Sequence, residues 1–185
     1  RTSAVKKSFS DRAISDDLVN FTIDQTFVAQ RTATTPAEQF KWIRARYILT
    51  LLVGTGLRLS EAADHTYAAV DILSNDRWVL NIIGKGDKPR SIEIFEDLKA
   101  VMKEFRVSIG CHPTPLYKDT MSLIPGAQPT KQISSRRIIQ IMRETFDHAS
   151  KIKQEQASQS DNQDEKGMLL RDASILEKAS AHWLR

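Results

Sequence analysis

The strongest constraint on the fold is an apolar stripe that begins shortly after Pro36 and stops at a pair of glycines. Its members recur at the spacing of one helical face: Phe40, Ile43, Tyr47, Ile48, Leu51 and Leu52. Thr34-Thr35-Pro36 suits a helix start, because proline fits the first helical position. Gly54-Thr55-Gly56 suits a helix end. The pattern predicts one long helix whose apolar face must be covered by the rest of the chain.

Periodicity indicates further helices and one β-hairpin. Helical spacing recurs in three more segments: residues 14–30, 98–105 and 138–146. A short polar helix is expected near Leu59. Residues 78–83 and 90–95 have strand patterns on either side of the turn-forming run Gly84–Pro89. We therefore predict an α+β fold that is mainly α, a helical bundle with one small antiparallel β-sheet.

Two segments have weaker patterns. Residues 110–133 are rich in proline and glycine, and we expect them to be mostly loop. Residues 151–167 form a polar tract, which predicts a solvated helix extension or a flexible segment. Leu169, Leu170, Ile175 and Leu176 are expected to return to the core beyond that tract.

Composition narrows the class of protein. The 185 residues suit one domain, and no run of about 18 apolar residues predicts a membrane span. The chain starts without an initiator Met or the apolar stretch of a signal peptide, so we expect a fragment of a longer, cytoplasmic protein. The single cysteine, Cys111, suits a reducing compartment. A net charge of +4 is compatible with nucleic acid but weak evidence for it.

The first motif is Thr55–Glu61 (TGLRLSE), directly after the long helix. Arg58 stands where the next helix begins, and Glu61 is three residues later on the same face. The carboxylate can therefore orient the guanidinium. Taken alone, such a pair is an ordinary surface ion pair of little energetic value.

The second motif is Ile83–Arg90 (IGKGDKPR), at the predicted hairpin tip. A lysine at a hairpin tip can reach a phosphate, although most such lysines are simply solvated. A nucleotide P-loop is excluded, because Lys85 is followed by Gly86 rather than Ser or Thr. The third motif is Ala181–Arg185 (AHWLR). Ser180 can cap a short helix that would place His182 and Arg185 on one face.

The three motifs in this order resemble the catalytic domain of tyrosine recombinases, the phage-integrase family, over about residues 10–185. Asp71-Ile72 also stands in the usual place before the hairpin. The resemblance implies that family's fold. It also implies that residues 1–185 are a partial catalytic domain, without the family's N-terminal DNA-binding domain and C-terminal tyrosine segment.

The resemblance implies a role for each matching residue. Family members break a DNA strand through a 3′-phosphotyrosine intermediate during site-specific recombination or integration. Arg58 and Arg185 would neutralise charge on the phosphate oxygens. Lys85 would be the general acid for the leaving 5′-oxygen. His182 would hydrogen-bond the phosphate, and Glu61 would support Arg58.

The resemblance also implies the partners. Double-stranded DNA is the expected partner, with Lys88 and Arg90 as further DNA contacts. The full-length protein is expected to act as a tetramer on DNA, as part of a mobile element or prophage. No metal, nucleotide cofactor or membrane is expected, because side chains hold the phosphate and the phosphotyrosine conserves the bond energy.

The chain departs from the family pattern at the nucleophile. The family's tyrosine follows the His-x-x-Arg motif, whereas Tyr47, Tyr67 and Tyr117 all precede it. We assign no nucleophile, predict that Tyr47 is a core residue, and expect this chain to bind DNA without cleaving it. Residues 62–67 are also less apolar than is usual after the first motif, which leaves their packing open.

Three alternatives remain at this stage. A type IB topoisomerase uses similar chemistry, and a non-catalytic module could use Arg58 and Lys85 for phosphate contacts alone. An unrelated small helical protein would require all three motifs to be coincidental.

Overall fold

The computed structural model describes residues 14–84, 88–126 and 131–184, except for the side chains of His182 and Trp183. Six helices and three strands follow one another in these ranges: α1 (Asp16–Thr32), α2 (Pro36–Thr55), α3 (Leu59–Asp64), β1 (Val70–Ile72), β2 (Trp78–Ile83), β3 (Pro89–Ile94), α4 (Glu96–Ser108), α5 (Ser135–Gln159) and α6 (Gln163–Lys178). Single 3-10 turns cover Tyr67–Ala69 and Ala181–Leu184. The predicted fold class, mainly helical with a small antiparallel sheet, is confirmed.

Helix α2 is the centre of the fold. Its ends are those the sequence predicts: the Thr35 side chain accepts the Glu38 N–H, and Gly56 closes the helix in the left-handed region at φ 60°. The burial extends beyond the predicted stripe, because Leu49 is fully buried and Arg46 nearly so. Helices α1, α4 and α5 all pack against α2. Helix α2 is therefore the central element against which these three helices are packed.

The sheet has the strand order β1-β2-β3, with both pairs antiparallel. One face carries Trp78, Leu80 and Ile94 into the core. The other face has a hydrogen-bonded polar row in which Asn81 donates to Asp71 at 2.7 Å. Periodicity alone did not predict β1, because three residues are too few to show the alternation of apolar and polar side chains that marks a strand.

The polar tract is helical on both sides of a short turn. Of the two expected forms, the helix extension is present: α5 continues to Gln159, and the Asn162 side chain caps α6 by accepting the N–H groups of Asp164 and Glu165. The tract also reaches the core, since Ala157 is buried. Beyond it Leu176 is buried as expected, but Leu170 is exposed because it lies on the outer face of α6.

The segment 110–133 lacks helices in its described part, as predicted, yet much of it is core. Leu123 and Ile124 are fully buried. The Tyr47 hydroxyl donates to the Leu123 carbonyl at 2.8 Å, and Arg106 donates to Asp119 at 2.7 Å. Long-range contacts of this kind hold the segment without regular structure. None of the described helices has both the length and the apolar character needed to cross a membrane.

Candidate functional site

Arg58 stands at the turn between α2 and α3. The left-handed Gly56 ends α2, and buried Leu57 anchors the connection. Arg58 is the residue before the first turn of α3, and its backbone N–H donates to the Glu61 carboxylate at 2.7 Å. Its Nη1 donates to the same carboxylate at 3.0 Å. The predicted pairing of Glu61 with Arg58 is therefore present, and the Arg58 side chain remains 41% exposed.

Glu61 binds a second guanidinium that the sequence did not predict. Arg90 Nη2 donates to Glu61 Oε2 at 2.9 Å, across 29 positions of sequence. Burial alone would raise the pKa of the Glu61 carboxyl. Hydrogen bonds from Arg58, together with the charge of Arg90, outweigh burial and lower this pKa from its usual value. The carboxylate is thus held ionised between two arginines.

The first two motifs meet in one open cleft of about 430 Å³. Its lining comes from α3 and from the end of β2: Arg58, Ser60, Glu61, Asp64, His65, Ile83 and Gly84. Gly84 lies so close to the ion pair that an added side-chain carbon would be 3.2 Å from Arg90 Nη1 and 3.5 Å from Glu61 Oε1. Lys85 is the next residue in the chain and lies, with Gly86 and Asp87, outside the described residues.

His65 is a member of this site that sequence reasoning missed. Its Nδ1 is 2.7 Å from the Glu61 carbonyl oxygen, and its Nε2 is 3.4 Å from the Ile83 amide nitrogen. The available signal was the unusually polar stretch of residues 62–67, whose packing the sequence left open. The histidine occupies a position between helix and sheet where hydrogen bonds replace apolar contacts.

The two residues predicted as further DNA contacts have different surroundings. Lys88 is exposed, and its carbonyl accepts the Gly84 N–H at 2.9 Å, which closes the base of the hairpin. The Arg90 side chain is bound to Glu61 and 37% exposed. The structure therefore gives Arg90 an internal partner, and a contact between Arg90 and DNA stays a prediction.

The third motif is only partly within the described residues. The backbone of Ala181–Leu184 forms one 3-10 turn, which contacts α2 and α5. The side chain of His182 and the whole of Arg185 lie outside the described residues. Their roles, like that of Lys85, stay predictions.

The tyrosines differ sharply in exposure. Tyr47 and Tyr67 are fully buried, which confirms the prediction that Tyr47 is core, whereas Tyr117 is 90% exposed. Burial raises the pKa of both buried phenols well above the usual value, so they stay protonated. Neither phenol is accessible at the surface. Within the described ranges, no group of three or more His, Cys, Asp or Glu side chains could hold a metal ion.

Sequence comparison finds two bacterial relatives. Over 109 residues the chain is 34% identical to tyrosine recombinase XerD of Haemophilus ducreyi, a match that covers 59% of the chain and 32% of the relative. Over 76 residues it is 38% identical to tyrosine recombinase XerC of Mesorhizobium japonicum, covering 40% of the chain and 24% of the relative. The matches thus span about a third or less of each relative's length. No protein-family model matches the sequence.

Structural comparison supports the same fold. A crystal structure of the XerH site-specific recombinase, in a post-cleavage complex with a palindromic difH substrate, superposes with a TM-score of 0.56 at 16% identity. The pre-cleavage complex of XerH with a difH substrate gives a TM-score of 0.55 at 17% identity. Each match covers 75% of this chain, and 36% and 37% of those chains, respectively.

Proposed function

We propose that the chain, which resembles tyrosine recombinases in sequence and in fold, supplies the phosphate-binding part of an enzyme that cleaves and rejoins DNA at specific sites. One observation carries the proposal: the Glu61-bound Arg58 faces the same cleft as Gly84, the residue that leads into Lys85. The first motif and the start of the second motif, each an ordinary surface feature when taken alone, thus line the same cleft.

The proposed chemistry starts with attack of a tyrosine hydroxyl on the scissile phosphate. A bond forms between the tyrosine oxygen and phosphorus as the hydroxyl proton passes to solvent. The bond from phosphorus to the 5′-oxygen breaks, and Lys85 gives that oxygen a proton. Attack concentrates negative charge on the non-bridging oxygens. Arg58 and Arg185 neutralise this charge, and His182 donates a hydrogen bond to the phosphate.

Glu61 gives Arg58 its catalytic value in this scheme. A free arginine side chain would have to lose rotamer freedom each time it bound a phosphate. The hydrogen bond from Arg58 Nη1 to Glu61 restrains the side chain beforehand, and the bond from the Arg58 backbone N–H fixes the carboxylate that accepts it, so less reorganisation is needed as charge develops. The Arg58 side chain is 41% exposed, which leaves it accessible to a phosphate.

Binding to duplex DNA tests this function directly. Phosphate contacts release counterions, so affinity should fall steeply with salt, and Arg58→Ala should reduce the slope of log K against log salt by about 1. Arg77→Ala is the matched control, because Arg77 is also an exposed arginine that is paired with a glutamate, Glu93 of β3. Equal slopes for wild type and Arg58→Ala would contradict the proposed role of Arg58.

We further propose that the 185-residue polypeptide by itself binds DNA but does not cleave it. The burial of Tyr47 and Tyr67 supports this proposal, and exposed Tyr117 lies far from the family's position in sequence. A suicide DNA substrate, which traps covalent intermediates, should accumulate no adduct. An adduct that disappeared in Tyr117→Phe would overturn the proposal.

The assembly of the full-length protein is a further part of the proposal. We expect a tetramer on two duplex sites, acting in the cytoplasm on an integrated or mobile DNA element. Sedimentation of the full-length protein with its target duplex would test the stoichiometry. A complex containing one protein copy and one duplex would count against a recombinase and favour a type IB topoisomerase.

A further inference from the structure

The hairpin that leads into Lys85 is attached to α3 through both of its strands. On the β3 side, Arg90 donates to the Glu61 carboxylate at 2.9 Å. On the β2 side, the Ile83 N–H points to His65 Nε2 at 3.4 Å. Glu61 and His65 are four residues apart, about one helical turn, so both attachments end at the same part of the chain.

The Ile83 amide needs this partner because of the sheet register. Strand β1 pairs with β2 from Trp78 to Leu80. The Gly84 N–H bonds to Lys88 on the β3 side, and amides alternate in direction along a strand. The Ile83 amide therefore faces the β1 side, beyond the last β1 pair. The His65 ring supplies an acceptor where the strand has ended.

The two contacts of His65 define its hydrogen-bonding state. A carbonyl oxygen 2.7 Å from Nδ1 accepts, so Nδ1 carries a proton and donates to Glu61. An amide N–H at Nε2 donates, so Nε2 carries a lone pair. The ring is thus a bridge that donates to α3 and accepts from β2.

Gly84, the residue directly before Lys85, lies close to the Arg90–Glu61 ion pair. An added side-chain carbon at this position would lie 3.2 Å from Arg90 Nη1 and 3.5 Å from Glu61 Oε1. The Arg90–Glu61 pair thus lies beside Gly84, one peptide bond before Lys85. Any shift of that pair would displace the point from which Lys85 starts.

We propose that His65 and Arg90 are positioning residues that fix the start of the Lys85 hairpin relative to Arg58. The proposal rests on the proposed function, in which Lys85 and Arg58 act on one phosphate. His65 is the sharper probe of the two, because its replacement leaves every arginine and lysine of the site in place.

The first arm of the test measures the attachment itself. In His65→Leu, hydrogen exchange at the Ile83 and Gly84 amides should accelerate, while the core strand amide of Leu80 stays protected. His65→Gln should restore protection, because an amide can donate to Glu61 and accept from Ile83. His112→Leu is the matched control, since His112 is an exposed histidine in a distant turn. Unchanged exchange in His65→Leu would overturn the proposal.

The second arm is a double-mutant cycle on duplex DNA affinity. His65→Leu should weaken binding severalfold when Lys85 is present, and should have no effect in a Lys85→Ala background. Equal weakening in both backgrounds would mean that His65 acts independently of Lys85, which would overturn the inference and leave the function standing. If Lys85→Ala did not change affinity, the proposed contact of Lys85 with the phosphate would itself be wrong.

Arg90 is tested without removing its charge. Arg90→Lys keeps the cation but cannot bond both carboxylate oxygens as a guanidinium does. Its effect on DNA affinity should likewise vanish in the Lys85→Ala background. Arg77→Lys, at the Arg77–Glu93 pair, is the matched control and should change affinity in neither background.

Discussion

Two arginine–glutamate pairs that each include a residue of β3 differ in burial and in the number of partners, although their chemistry is the same. The Arg77–Glu93 pair joins β3 to the residue before β2 through two hydrogen bonds, with both side chains more than 40% exposed. The Glu61 side chain is 7% exposed and accepts hydrogen bonds from both Arg58 and Arg90. Good ion-pair geometry therefore does not mark a functional site. Burial of the carboxylate and its sharing between two arginines distinguish the candidate site from the exposed pair.

The physical reason lies in the solvent around each pair. Water competes for every group of an exposed pair and salt screens it, so such a pair adds little to stability. A carboxylate removed from water needs its hydrogen bonds, because the desolvation penalty would otherwise stand uncompensated. Glu61 can therefore hold Arg58 in one orientation, which an exposed carboxylate could not do as well.

The largest expected effect comes from removing each carboxylate. Glu61→Ala deletes the cap on the first turn of α3 and the shared partner of two arginines. We expect the free energy of unfolding to fall by about 2–3 kcal/mol. Glu93→Ala should leave it almost unchanged. Urea unfolding of both variants checks this contrast, and equal losses would contradict the distinction between the two pairs.

A smaller effect is expected from pH. The folded-state pKa of Glu61 is lowered, so its contribution to stability is complete above the unfolded-state pKa of about 4.3 and is lost as pH falls through the lower folded value. The stability gap between wild type and Glu61→Gln should therefore be constant near neutral pH and narrow below about pH 4.3. Urea titrations across this range measure it. A gap that widened in acid would show that the sign is wrong.

The smallest change in stability is expected when single glycines are replaced by alanine. In Gly84→Ala the new carbon would press on Arg90, and we expect a loss of about 1 kcal/mol. Gly167→Ala is the matched control, because nothing lies within 4 Å of the added carbon on α6. There alanine should stabilise the helix by up to about 1 kcal/mol. Thermal unfolding would separate the two, and a shift of the same sign in both variants would argue against a close contact at Gly84.

Local signals explain what the sequence predicted well. Both ends of α2 were predictable because Thr35, Pro36 and Gly56 act within a few residues of the helix end. The Arg58–Glu61 pair was predictable for the same reason, since its members are three residues apart in one turn. The hairpin followed from two strands joined by a short turn.

The parts that could not be predicted depend on contacts between distant residues. Arg90 was expected to contact DNA, and its bond to Glu61 depends on how the sheet docks on α3. The bridge from His65 to Ile83 depends on where β1 stops, and β1 itself was too short to detect. Leu123 is a core residue because its segment packs against Tyr47, whose hydroxyl donates to the Leu123 carbonyl. No sequence pattern in the segment itself predicts this burial.

The central claim is that Arg58, oriented by Glu61, contacts a DNA phosphate. Side-chain NMR of ¹⁵N-labelled arginine, titrated with a short duplex, tests it most directly, with Arg58 and Arg77 assigned by substitution to lysine. The account predicts that the Arg58 Nε–H signal shifts strongly with added duplex, while that of Arg77 stays in place. An unmoved Arg58 signal, or equal shifts at both arginines, would contradict it.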